Sequence, residues 1–199
     1  MNETTQDSSR EKILQSAFCE IHKHGFQSAR IADILAQTGL TKGALYHHFP
    51  TKHDLGLAVV DEVILKRLDE GIFTPLRQSS QPLETLREII RQTAQREPEH
   101  VSLGCPLNNL IQEMSPLDEA FKGQLGTILD AWRQAVEDAL TRSQRQSAIR
   151  PDIDCRASAL FIVSAWEGCV GTAKNLQSAD ILYLCLEQLR SFVSSLQSP

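Results

Sequence analysis

The sequence predicts an all-α protein with about nine helices. Apolar residues recur at helical spacing along most of the 199 residues, and no segment alternates polar and apolar residues between turn signals as a half-buried strand would. Gly, Pro and hydroxyl residues separate these segments, where they end one helix or cap the next. The composition, with 41% hydrophobic and 23% charged residues, is typical of a globular protein.

The first predicted helix spans about 9–24. Ile13, Ala17 and Ile21 recur at intervals of four residues and form one apolar face. Gly25 follows directly and is expected to end the helix in the left-handed conformation.

Two short helices are predicted next, at 31–37 and 42–49. Gly39 ends the first of them, and Thr41 is placed to cap the second, which Pro50 then ends. The resulting order of helix, tight glycine turn and helix is that of a helix-turn-helix motif.

A capping-box pattern, Thr51 followed by Asp54, opens a fourth and longer helix over about 52–70. The remaining predicted helices are separated largely by prolines and span 83–96, 107–114, 117–145, 155–174 and 179–196. We therefore expect an N-terminal helix-turn-helix domain, 1–54, and a larger helical domain, 55–199.

Charge alone does not indicate a nucleic-acid partner, because the net charge is −5. The first 54 residues carry six basic and six acidic side chains, however, so the negative balance lies in the rest of the chain. Phosphate binding depends on local cations, so a neutral N-terminal domain with a few placed basic residues is able to bind DNA.

The helix 42–49 separates its residues into two faces. Lys42, Gly43, Tyr46 and His47 fall on one side, and Leu45 lies among the anchoring residues on the other. A cation, an aromatic hydroxyl and an imidazole on a short exposed helix are typical of a major-groove reader.

Other residues near this helix are predicted to contact DNA. Gly43 lets the helix approach the DNA backbone closely, and Thr41 is able to donate to a phosphate while it caps. Lys52 lies in the first turn of the next helix, where unpaired N–H groups favour an anion. Arg30, ahead of the second helix, is a further candidate groove contact.

The stretch 25–55, GFQSARIADILAQTGLTKGALYHHFPTKHDL, resembles the DNA-binding domain of the TetR family. The segment TKGALYHHFPTK is similar to the family's recognition helix and following turn. The resemblance implies a transcriptional regulator, expected to be a repressor, that binds palindromic operator DNA as a homodimer. It implies DNA contacts from Lys42, Tyr46, His47 and Lys52, and release by a small-molecule ligand or by thiol modification. Where the family usually has a capping Thr, this chain has Ala29, so Ser28 or Arg30 is expected to replace it.

The five cysteines include no CxxC pair, and neither a disulfide scaffold nor a zinc site is expected. The segment 103–121 resembles a subgroup of the family in which a cysteine near this place senses electrophiles or oxidants. Cys105 lies between Gly104 and Pro106, at an expected helix N-terminus where the dipole favours the thiolate. A small buried thiol is the alternative.

A small-molecule pocket requires an apolar lining with a few polar groups. The residues with that character on the central helices, taken together with Cys105, are Asn108, Asn109, Gln112, Trp132, Trp166 and Glu167. Ordinary core packing is the alternative for the two tryptophans.

The last two helices are expected to form the dimer interface, because each has more apolar surface than one subunit needs to bury. The predicted interface residues are Phe161, Trp166, Val170, Ile181, Cys185, Leu189 and Phe192. The alternative is that these residues are buried within one subunit.

Two competing hypotheses are an all-α enzyme and a helical interaction protein that does not bind DNA. The first lacks support, because no HExxH, GxSxG or Walker motif is present and Glu113 and Glu167 are isolated. The second leaves TKGALYHHFPTK unexplained. The sequence therefore predicts no catalytic residues, cofactor or metal. It also predicts no membrane association, and a cytoplasmic location, since it shows no membrane span or secretory signal.

Overall fold

The computed structural model describes residues 3–198, and the side chains of residues 8–198. It confirms the predicted all-α class. No β-strand occurs in this part of the chain, and its one isolated β-bridge joins Ile149 to Gln197.

The three N-terminal helices end and turn close to where the sequence places them, although the first begins at Glu3, earlier than the predicted start near residue 9. Gly25 has φ +81° after the first helix, and Gly39 has φ +67° after the second, so both turns use the left-handed conformation that glycine adopts without strain. Their bounds are α1 Glu3–His24, α2 Ile31–Ala36 and α3 Lys42–His48.

The fourth helix, α4, is longer than predicted and extends over 52–78. It begins with the predicted capping box, in which Thr51 and Asp54 exchange side-chain and backbone hydrogen bonds. Two π-helical stretches, Val59–Ile64 and Asp69–Phe73, interrupt its α-helical hydrogen bonding. Pro75 is accommodated at the start of its last segment, Thr74–Gln78, so the helix continues past residue 70.

One helix in the second half, Pro98–Leu103, is absent from the sequence prediction. It has only six residues, with Pro98 in its first turn. In chain order the helices of this half are α5 Pro82–Ala94, α6 Pro98–Leu103, α7 Pro106–Met114, α8 Glu119–Arg145, α9 Cys155–Leu176 and α10 Ala179–Ser195.

The chain packs as two compact units, and their division differs from the predicted boundary after residue 54. The first unit comprises the chain up to Arg67 together with Asn109–Thr127, and the second comprises Leu68–Asn108 and the chain from Ile128 onward. In the first unit, α1 packs on α2, α3 and the start of α4. Ile13, Leu45 and Leu55 are among its fully buried side chains.

The second unit has a core of its own, built by α10 packing against both α5 and α9. Leu86, Ile162 and Leu186 are fully buried there. None of the described helices is long and apolar enough to cross a membrane.

Candidate DNA-binding surface and candidate ligand site

Helix α3 is anchored from one side and exposed on the other. Thr41 caps it by accepting a hydrogen bond from the backbone N–H of Ala44 at 3.2 Å. Leu45 and Phe49 are buried on the inner side. The exposed residues of the helix include the whole predicted reading face, namely Lys42, Gly43, Tyr46 and His47.

Side chains of the predicted reading face contact one another and their neighbour His48. The Lys42 ammonium lies 5.7 Å from the centre of the Tyr46 ring, and the His47 and His48 rings meet edge to face at 5.4 Å. A Cβ added at Gly43 would have one neighbour within 4 Å, the Thr41 hydroxyl at 3.8 Å. Packing within the chain therefore gives no reason for glycine at residue 43, which is consistent with close approach by an external surface.

The start of α2 corrects one expectation. Arg30 is the N-cap residue and is exposed, but no side chain makes a capping hydrogen bond there. Neither Ser28 nor Arg30 therefore replaces the missing threonine as a cap. Ala29 is buried, and its backbone N–H bonds to the Gly25 carbonyl at 3.0 Å.

Lys52 is half-buried and is engaged inside the first unit. Its ammonium donates to the Gln27 carbonyl at 3.2 Å and lies 4.8 Å from the centre of the Phe26 ring. Burial lowers the pKa of Lys52, while the nearby Glu113 raises it. Lys52 thus helps to hold the turn after α1. Its predicted phosphate contact would have to be made while the ammonium lies beside Gln27 and Phe26.

Sequence reasoning did not predict the contact that Glu113 makes within the first unit. Its carboxylate accepts hydrogen bonds from the backbone N–H groups of Phe26, at 2.9 Å, and Gln27, at 2.8 Å. A Cβ on Gly25 would lie 2.9 Å from the same carboxylate, so any other residue at this position would force the carboxylate to shift. Glu113 therefore fixes the turn that connects α1 to α2.

A second polar contact lies near the start of α4. The His53 ring is 2.9 Å from the Asp118 carboxylate, which also accepts from the backbone N–H of Phe121 at 3.0 Å. The Phe121 backbone bond, followed by His53, holds the pKa of Asp118 below its ordinary value. Phe121 in turn packs on Phe26, with ring centres 4.8 Å apart. Residues 109–127 are thereby joined to the helix-turn-helix.

The second unit contains the two tryptophans of the chain. Trp132 on α8 and Trp166 on α9 are buried, and their rings meet edge to face at 5.5 Å. The indole Nε1–H of Trp132 has no hydrogen-bond partner among the described residues. The two rings are as buried as ordinary core residues. In an ordinary core, however, the indole N–H of a buried tryptophan such as Trp132 has a hydrogen-bond partner.

Glu167 follows Trp166 and is only 9% exposed. No N–H or O–H group of the described chain donates to either of its carboxylate oxygens, and the nearby Cys105 thiol is at most a weak donor to them. Burial raises the pKa of Glu167 to about 7, although the Cys105 thiol and the charge of the Arg96 guanidinium both act to lower it.

The structure corrects the prediction of a reactive Cys105. The residue does precede α7, and the backbone N–H groups of Asn108 and Leu107 favour its thiolate as predicted. Burial is the larger effect, however, and together with the facing Glu167 carboxyl it raises the pKa of Cys105 far above its ordinary value. The thiol is therefore protonated and sheltered, as in the alternative interpretation.

The predicted ligand residues do not all come together. Cys105, Trp132, Trp166 and Glu167 belong to the second unit, as does the half-buried Asn108. Asn109 and Gln112 belong to the first unit, because α7 passes from one unit to the other between residues 108 and 109, and Gln112 is exposed.

The predicted interface also needs correction. Trp166, Val170 and Leu189 are buried within the second unit, and Ile181 is half-buried. Cys185 forms a disulfide with Cys169 that joins α9 to α10, with 5.5 Å between the two Cα atoms, although the sequence predicts no disulfide. Phe161 and Phe192 remain near the surface with ring centres 4.7 Å apart. The large exposed apolar residues of α9 and α10 are Leu160, Phe161, Leu176, Tyr183 and Leu184.

Known protein families match both units of this architecture. The model of the bacterial regulatory proteins of the tetR family matches residues 13–59. The model of the tetracyclin repressor-like C-terminal domain matches residues 82–189, which is more than half of the chain.

Related proteins agree with these matches. The transcriptional regulator AcuR of Cereibacter sphaeroides is 28% identical over 87% of this chain and 80% of its own length. The HTH-type transcriptional repressor DhaR of a Mycobacterium species is 24% identical over 81% of this chain and 80% of its own. A TetR regulator from Chloroflexus aurantiacus has a TM-score of 0.84 at 25% identity, with 98% of each chain covered. The reduced form of Escherichia coli NemR shares the fold, with a TM-score of 0.79 at 20% identity over 96% of this chain and 97% of that one.

A helix-turn-helix whose second helix is exposed, followed by a larger helical unit, is typical of helical DNA-binding regulators. The chain belongs to the TetR family of bacterial transcriptional regulators, whose members bind operator DNA and small-molecule effectors as dimers.

Proposed function

We propose that this protein is a cytoplasmic repressor that binds a palindromic operator as a homodimer and releases it when a small molecule binds the second unit. The observation that carries the proposal is the exposed face of α3, where Lys42, Tyr46 and His47 project from a helix anchored by buried Leu45 and Phe49. Two such helices related by a two-fold axis would read two half-sites about one turn of DNA apart.

Exposed apolar side chains on α9 and α10 support the proposed dimer. Leu160 is 57% exposed and Leu184 is 60% exposed, and together with exposed Phe161 they form part of the apolar surface of these two helices. Larger exposed apolar patches mark interaction sites. Gly168 and Gly171 also lie on α9, where an added Cβ would meet no atom within 4 Å. A partner helix is therefore able to approach this side of α9 closely.

The buried Cys105 favours reversible ligand binding over thiol modification as the route to release. A thiol whose pKa is raised by burial reacts slowly with electrophiles and oxidants, because the thiolate is the nucleophile. Among the related proteins, DhaR carries the name of a repressor, which supports repression as the direction of control.

Selection of bound duplexes from a random DNA library, followed by footprinting and sedimentation of the complex, tests this proposal. We expect an inverted repeat protected on both half-sites by protein dimers. Failure to enrich any sequence, or binding of the selected site by single chains, would contradict it.

A further inference from the structure

Glu167 lacks the partner that a buried carboxylate needs. The residue is nine-tenths buried, yet no N–H or O–H group of the described chain donates a hydrogen bond to either oxygen, and only the weakly donating Cys105 thiol acts on the carboxyl at close range. A buried carboxyl without a partner is costly, so native structures seldom keep one without a role such as ligand binding.

The surroundings of Glu167 favour a ligand that carries a positive charge. A carboxylate only accepts hydrogen bonds, and the facing Cys105 offers only a weak donor. Arg96 acts on Glu167 through space but makes no hydrogen bond to it, and its own side chain is exposed. A ligand with a positive charge and N–H donors would supply the hydrogen bonds that the Glu167 carboxylate oxygens lack.

The neighbouring tryptophans suit the body of such a ligand. Trp166 precedes Glu167 on α9 and meets Trp132 edge to face at 5.5 Å. Indole rings attract organic cations through their faces and also pack against apolar groups.

We propose that the second unit binds a small organic amine in its protonated form, with the ammonium group on Glu167 and the apolar body against Trp132 and Trp166. This inference rests on the proposed function, because it names the chemical class of the effector that releases the operator.

The two tryptophans are the only ones in the chain, so intrinsic fluorescence reports directly on the proposed site. The full-length protein is titrated at pH 8 with benzylamine, phenethylamine and cyclohexylamine, each beside the alcohol and the carboxylate of matched carbon skeleton. We expect a saturable fluorescence change with at least one amine, at concentrations at least tenfold lower than for its alcohol, and no saturation with the carboxylates.

Glu167→Gln keeps the size of the side chain and removes its charge, so it should abolish the preference for the amine over the alcohol. Glu119→Gln is the matched control, because Glu119 is an exposed residue of the first unit. Lowering the pH from 8 to 6 should weaken amine binding to the wild type about tenfold, because Glu167 becomes protonated across this range while the facing Cys105 thiol stays protonated throughout.

Preference for the alcohols or carboxylates, an unchanged amine affinity in Glu167→Gln, or no saturable response to any amine would overturn the inference. Gel shifts on the selected operator, run on the same samples without amine, test the proposed function separately. Operator binding without amine binding refutes the ligand class alone, whereas loss of operator binding in untreated protein refutes the proposed function. An amine that binds but leaves the operator bound supports the site and contradicts its role as the effector site.

Discussion

The Glu113 carboxylate accepts a hydrogen bond from the backbone N–H of Phe26 at 2.9 Å, between residues 87 positions apart in the chain. It also accepts from Gln27, and these N–H groups begin the segment that leads into α2. The side chain of an α7 residue therefore binds the backbone of the turn before α2. The first residue of α7, Pro106, follows Cys105 and belongs to the second unit.

Glu113→Gln should loosen this turn, because a neutral amide cannot accept from both N–H groups as a carboxylate does. Hydrogen bonds to charged groups contribute about 1.5–3 kcal/mol, so we expect faster hydrogen exchange at residues 25–30 and weaker operator binding. Exchange at these amides measured by mass spectrometry checks the prediction, with Glu119→Gln as the control. Unchanged exchange in the variant would show that the contact does not hold the turn.

Gly43→Ala should raise stability and lower DNA affinity at the same time. Alanine is favoured over glycine within a helix by up to about 1 kcal/mol, and the added methyl group would have only Thr41 within 4 Å. The same methyl group would project toward DNA from the proposed reading face. Thermal unfolding and operator titration measure the two effects, and an operator affinity equal to that of the wild type would contradict close approach at residue 43.

Glu167 should make the stability of the second unit depend on pH. Its pKa rises from 4.5 in the unfolded chain to about 7 in the fold, so the folded state holds a proton that the unfolded state has released. Stability therefore decreases as the pH rises from about 4.5 to 7, by roughly 3 kcal/mol in total, and is constant above this range.

Glu167→Gln cannot titrate, so its melting temperature relative to that of the wild type should increase across the same window. Melts of both proteins at pH 5, 6, 7 and 8 provide the comparison. A difference that does not change with pH would show that the carboxyl has a partner in solution.

The disulfide between Cys169 and Cys185 should contribute to stability, because it closes a loop between α9 and α10 with a sequence separation of 16. Loops of about 15 residues correspond to about 3 kcal/mol in the chain-entropy model. The double variant Cys169→Ser, Cys185→Ser should therefore melt at a lower temperature than the unreduced wild type.

Alkylation of the denatured, unreduced protein checks that the bond is present. Three thiols, those of Cys19, Cys105 and Cys155, should be labelled out of the five cysteines. Labelling of all five would show that α9 and α10 are not linked in the purified protein.

The sequence predicted the helix-turn-helix well because its signals are local. Thr41, Gly39 and the apolar spacing of Leu45 and Phe49 each act within a few residues, and they determine which face of α3 is exposed. The same local rules placed Cys105 at the start of α7.

Contacts between distant parts of the chain could not be predicted in this way. Glu167 helps to raise the pKa of Cys105, although it lies far from Cys105 in the sequence. Glu113 likewise acts on the turn after Gly25, which is distant from it along the chain. The Cys169–Cys185 disulfide depends on the rotation of α9 against α10, which the periodicity of each helix leaves open. The one available signal for Glu113 was Gly25, whose turn leaves two backbone N–H groups to be satisfied.

Operator binding by Lys42→Ala and Tyr46→Ala, measured beside the wild type on the selected operator, tests the central claim most directly. Both side chains are exposed on α3, so each variant should keep the helical circular dichroism signal and dimer mass of the wild type. Each should bind the operator about tenfold or more weakly, since a good base contact contributes about 1–3 kcal/mol. Wild-type operator affinity in both variants would contradict the assignment of α3 as the recognition helix.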